Sequence, residues 1–169
     1  MDIFLTLLVM ICLLVLKGFF SGCEIAMVNA DKVKLNALAG KGHKGSRMVL
    51  EEFRSPEMLL GTTLVGTNVA TIVLTTIGTL LVIQLVGKNG EWIAFLLFTP
   101  LFLILGEIVP KSVYQHRSTE IAPKAIYALR GFRYLFFPLV VTFSRVSRFA
   151  ARVFVGGHLE QDVYMTREL

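Results

Sequence analysis

The chain has 169 residues, 54% hydrophobic and only 17% charged, with a mean hydropathy of +0.68. Soluble domains lie nearer about 45–50% apolar and about 25% charged, so an ordinary soluble enzyme is excluded, and disorder needs low hydrophobicity. The formal charge of +5 would point to nucleic acid on a soluble chain, but here it must first be weighed against membrane topology. Cys12 and Cys23 share one apolar segment and form no disulfide or zinc framework.

The first apolar run covers residues 3–28, interrupted by Lys17 and by Ser21-Gly22-Cys23-Glu24. About 20 apolar residues suffice for a membrane helix. A cleaved signal peptide is the rival reading. It would need a basic leading segment, and this chain opens Met1-Asp2, so a retained helix is preferred. Residues 31–56 read as a helical hairpin. Asp31 to Ala39 is helical and stops at Gly40, Lys44 to Arg54 forms a second short helix, and Ser55-Pro56-Glu57 caps the next element. The second span, 59–86, carries no charge and is rich in Gly and Thr, which let membrane helices approach closely. The third, 92–113, holds Trp92 as an interfacial anchor and Pro100, Glu107 and Pro110 inside it. Residues 121–155 are apolar and aromatic but studded with arginines. Arg145, Arg148 and Arg152 fall on one helical face opposite Phe143, Val146, Phe149 and Val153. That pattern fits a basic amphipathic helix lying in the membrane interface. The apolar stretch from Tyr134 to Phe143 is short and contains Pro138, so a fourth crossing is disfavoured. The expected fold is therefore an all-α membrane domain over 1–155: three spans, a cytosolic hairpin and a juxtamembrane helix, with 156–169 beginning a linker.

Basic residues set the orientation. Lys32, Lys34, Lys41, Lys44, Arg47 and Arg54 lie between spans one and two, more follow Lys111, and only Lys88 separates spans two and three. The positive-inside rule then places the N-terminus outside and both the hairpin and the C-terminal third in the cytoplasm. The net charge is thus mostly topology, with membrane lipids as contacts and nucleic acid not expected.

Charged and polar groups inside spans are expensive and usually functional. In span one, Glu24 either marks the cytosolic end of a short helix or brings a carboxylate to a site with the Ser21 hydroxyl beside Gly22. In span two, Asn68 offers an amide near Gly61 and Gly66, and helix–helix glue is the plain alternative. In span three, Gly106-Glu107-Ile108-Val109-Pro110-Lys111 is the most specific feature. Pro110 cannot donate to the Gly106 carbonyl, which frees an oxygen beside Glu107. An intrahelical Glu107–Lys111 pair is the plain alternative there. Carboxylate, amide, hydroxyl and freed carbonyls make an all-oxygen set, which suits hard cations, and interrupted helices are how transporter sites are built. The sequence lacks His-Glu-x-x-His, Gly-x-Ser-x-Gly and a phosphate-binding glycine loop, so no enzyme is expected.

Phe19-Phe20-Ser21-Gly22-Cys23-Glu24-Ile25-Ala26, Gly61 through Ala70 and Gly106 through Lys111 together resemble the transmembrane domain of the CNNM/CorC magnesium transporter family. The resemblance implies a homodimer that binds Mg²⁺ near mid-membrane, holds it dehydrated on oxygen ligands at the helix breaks, and exports it across the cell membrane with Na⁺ entry as the driving force. By motif, Ser21, Gly66, Asn68 and Glu107 would be the cation ligands, some through backbone oxygen. Gly22, Gly106, Pro110 and Lys111 would shape the breaks, and Glu24 would be an electrostatic neighbour. A membrane-embedded Mg²⁺ sensor acting on another transporter would need the same ligands. Family members usually continue into nucleotide-binding CBS modules. The chain ends about where these would begin, so nucleotide control is not expected of these residues. The short N-terminus resembles that of prokaryotic members.

Overall fold

The computed structural model describes residues 3–54 and 56–155, with side chains as far as Leu139 apart from Glu57. Among the described residues all regular structure is helical: α1 (Ile3–Asn29), α2 (Lys32–Gly40), α3 (Lys44–Glu52), α4 (Pro56–Val86), α5 (Gly90–Leu103), a π-helical turn (Ile104–Ile108), α6 (Val109–His116) and α7 (Ser118–Val155). Three stretches, Ile3–Asn29, Met58–Val86 and Gly90–His116, are long and apolar enough to cross a bilayer. Ser55, the arginine face from Arg145 to Arg152 and the expected linker lie outside the residues whose structure or side chains are described.

Local chemistry explains the boundaries. Asp31 caps α2, its carboxylate accepting from the backbone N–H of Val33 at 2.9 Å and of Lys34 at 3.1 Å. α2 runs through Gly40 rather than stopping before it. The chain reverses at Gly42, whose φ of 87° suits a residue without Cβ. His43 caps α3 by accepting from Ser46 N–H at 3.2 Å. α7 begins at Ser118, earlier than expected, and continues through Pro123 and Pro138. A proline removes one backbone donor, but the remaining bonds carry the helix past it.

α1 is central, packed against α4, the π turn, α6 and α7. Two apolar clusters lie along it. Toward its start, Met10 packs with Leu74, Leu81 and Phe102. Toward its end, Phe20, Cys23, Ala26 and Met27 pack with Leu35 and Val49 of the hairpin and with Ala122, Ala125, Ile126 and Leu129 of α7. α7 thus lies across α1, α3 and α4 instead of standing apart from the bundle.

The hairpin is fastened to α7 by charge. Glu52 is only 5% exposed and accepts from Arg130 at 3.0 Å and from Arg133 at 2.7 Å, while Arg130 also donates to Glu51 at 2.9 Å. The Arg130 guanidinium holds the Glu51 carboxyl below the usual carboxylate range. A lowered carboxylate pKa favours folding above the ordinary value, so this small contribution fades as pH falls through the acid range. Close approach completes the seam: a Cβ at Gly45 of α3 would overlap the Pro123 carbonyl of α7. Gly45→Ala should therefore lower stability by about 1–3 kcal/mol, the usual effect of overpacking against unyielding backbone. Thermal unfolding of the purified protein in detergent checks this. An unchanged midpoint would mean that α3 and α7 separate freely there.

A candidate cation site on the π turn

The site is built on one stripe of α1. Lys17, Ser21 and Glu24 follow one another at helical spacing, on the side that meets the third span. Gly18 and Gly22 make the approach close enough: a Cβ at Gly18 would lie 2.9 Å from Pro110, and one at Gly22 would lie 2.6 Å from the Tyr114 ring. Pro110 and Tyr114 are themselves one turn apart, so the two helices interlock like a small-residue membrane seam.

Opposite this stripe the third span changes its hydrogen-bond offset. The Val109 N–H donates to the Ile104 carbonyl, five residues back. Continued by one residue, that offset sets the missing Pro110 donor opposite Leu105 rather than opposite Gly106, where a regular helix would have it. The turn swings Glu107 toward α1. Such π turns recur at functional sites because they re-aim one side chain at the expense of helix regularity.

Four charges then alternate. Lys17 Nζ is 3.9 Å from Glu107 Oε2, Lys111 Nζ is 3.1 Å from Glu107 Oε1, and Lys111 Nζ is 3.9 Å from Glu24 Oε2. The Lys17 ammonium also donates to the Phe102 carbonyl at 3.3 Å. Lys17 is 5% exposed, while Glu107, Lys111 and Glu24 are each about a third exposed. A carboxylate so exposed at membrane depth needs a water-filled cavity or another chain beside it. The expected Glu107–Lys111 pair exists, but as one link of a longer chain of charges.

Ser21 is fully buried, and its hydroxyl has no hydrogen-bond partner. It lies on the stripe between Lys17 and Glu24. Gly66 is buried where the Phe20 ring meets α4, and a Cβ there would lie 2.6 Å from that ring. The Thr67 hydroxyl, next along the chain, is likewise buried and unpartnered. Orphaned buried hydroxyls are uncommon in native proteins and call for a ligand or water. Asn68 lies on the exposed side of α4. α4 packs against α1 and α5 but not extensively against the π turn. Ser21, Glu24, Glu107, Pro110 and Lys111 are thus gathered at one seam, Gly66 borders it through α1, and Asn68 stands apart in the single chain.

Two participants escaped sequence reasoning. Lys17 was visible only as a charge in an apolar run, the very signal that marks intramembrane function. Thr67 carried no signal beyond its neighbours. Among the described residues no three His, Cys, Asp or Glu side chains form a metal cage. A hard cation held here would rest on one or two carboxylates, with hydroxyl, carbonyl or water oxygens completing its shell.

Three apolar helices and a charged seam inside them define a multi-pass membrane protein. Residues 7–169 match the Cyclin M transmembrane N-terminal domain, and the chain belongs to this CNNM family. It is 26% identical over 138 residues to the UPF0053 inner membrane protein YfjD of Escherichia coli K12, covering 82% of this chain and 32% of that protein. It is 31% identical over 133 residues to a UPF0053 protein of Haemophilus influenzae, covering 79% and 32%. A protein of H. influenzae named polyamine export protein is 25% identical over 175 residues, covering 96% of this chain and 40% of that protein. The chain therefore spans about a third of the length of these relatives.

Proposed function

We propose that this domain carries Mg²⁺ out of the cell, the cation passing along the seam between the α1 stripe of Ser21 and Glu24 and the π turn of Glu107. The observation that carries this reading is a carboxylate on a π turn inside an apolar span, met by a stripe of α1 that carries a buried hydroxyl with no partner, that of Ser21. Both are oxygen ligands of the kind a hard cation takes, and neither improves packing. Ser21 and Glu107 would bind directly and Gly66 through its backbone oxygen, while Glu24 and Lys111 would tune the charge around them. Asn68 would enter only if a second copy or a water-filled cavity met its side of α4, which is one reason to expect a homodimer. The N-terminus would lie outside, with the hairpin and α7 in the cytoplasm, a placement that the distribution of basic residues supports. Na⁺ entry would drive export.

A second reading has specific support. Relatives named polyamine export proteins match over most of this chain, and the seam accommodates an alkylammonium, that of Lys17, between a carbonyl and a carboxylate. Both readings are tested by flux from proteoliposomes loaded with either Mg²⁺ or spermidine, with and without an opposing Na⁺ gradient. Mg²⁺ efflux stimulated by Na⁺ is the expected result. Spermidine efflux without Mg²⁺ efflux would replace the first reading by the second. Binding of Mg²⁺ without any flux would leave a sensor.

A further inference from the structure

Lys17 is the one charge at the site that is nearly inaccessible, and neither the cation reading nor the motifs behind it assign it a role. It lies fourteen residues into α1, about 20 Å along the helix axis at 1.5 Å per residue, too deep to be an end-of-helix anchor. A lysine near a helix end turns its ammonium outward to the headgroups. This one turns inward, donating to the Phe102 carbonyl at 3.3 Å with Glu107 Oε2 at 3.9 Å. Its stem lies across Gly106, where a Cβ would come within 2.9 Å of Lys17 Cδ. The bare backbone at Gly106 thus makes room for the lysine.

A carbonyl and a carboxylate are the ligands a hard cation seeks, and the ammonium has taken them. The charges agree. Lys17 and Lys111 balance Glu24 and Glu107, so the cluster is formally neutral and a dication added to it would have no counter-charge in a medium of low dielectric.

We propose that the Lys17 ammonium is a tethered cation occupying the position beside Glu107, and that cargo binds there only when this ammonium is displaced. Lys17 is then the residue that sets cation affinity and keeps the site charge-balanced between transport events. This inference rests on the reading of Glu107 as the cation ligand. Apparent affinity falls by the fraction of molecules in which the lysine is out of the site, so removing the ammonium should strengthen binding. A purely structural ion pair predicts the reverse, because its loss would loosen the seam.

The test is Mg²⁺ titration calorimetry on the full-length protein in lipid nanodiscs, comparing wild type, Lys17→Met, Lys17→Arg and Glu107→Gln. Lys17→Met should bind Mg²⁺ at least about tenfold more tightly than wild type, and Lys17→Arg should bind no more tightly. Lys17→Gln, which can still donate to the Phe102 carbonyl, carries the same expectation as Lys17→Met if the latter does not fold. Binding by wild type that is equal or weaker in Lys17→Met and Lys17→Gln overturns the inference and leaves the Glu107 reading standing. Binding that survives Glu107→Gln overturns both. So does an absence of Mg²⁺ binding in folded wild type and folded Lys17 variants alike.

Discussion

Glu107→Gln should lower Mg²⁺ binding and flux at least about a hundredfold, the scale of a lost charged contact of about 3 kcal/mol. The carboxylate is the only acidic group on the π turn, and both lysines of the seam face it. The amide keeps its shape and one oxygen, so what is removed is charge. Lys17 and Lys111 are then left with Glu24 alone, and stability should fall as well. A lysine without a counter-charge at mid-helix costs about 2.5–3.5 kcal/mol on insertion scales. Two effects must therefore be separated. Adding Lys17→Met to Glu107→Gln should restore the unfolding midpoint, because the nearly buried ammonium is gone, yet leave binding lost, because the ligand is still absent. Equal Mg²⁺ flux in Glu107→Gln and wild type would end the site assignment. A double variant that recovers both stability and binding would end it too.

The double variant Arg130→Ala/Arg133→Ala should lose about 3 kcal/mol of stability, near the low end for removing the partners of a buried charge. Glu52 is 5% exposed and both guanidinium groups end on it. The arginines themselves are about a third exposed, which weakens each pair through solvent screening. Neither single variant should cost as much, since the remaining arginine still reaches Glu52. Chemical unfolding of the two single variants and the double one measures the difference. Replacing Glu52 by Gln in the double variant should return part of the loss, because no buried charge remains. If it returns nothing, the arginines act by packing their stems and the ion pairs are incidental.

The spans were legible in the sequence because each is an apolar run longer than a bilayer is thick. By composition Asp31 belongs within the helix that it in fact caps, its side-chain oxygen in reach of two free backbone donors. What could not be read was decided between helices. Pro110 announced an interruption in the third span, but not whether the helix answers it with a kink or with a π turn. Lys17 and Lys111 lie 94 positions apart in the chain, and nothing local says that they share Glu107. Gly18 and Gly22 have the spacing of a helix–helix seam, but nothing local says that Pro110 and Tyr114 are what they receive. Ser21, Glu107, Pro110 and Lys111 come from two motifs that sequence alone could list but not set on one seam. The exposed setting of Asn68 reflects burial within a single chain, which sequence motifs do not describe.

The fastening of Glu52 to α7 has a mechanical consequence. α3 leads into α4 through three residues, 53–55, and α7 follows the third span directly. Arg130 and Arg133 therefore close a loop in which α7 grips the root of the second span. Tension applied along α7 reaches α4 by their direct packing and, through two guanidinium groups, by way of α3, in neither case passing back through the π turn.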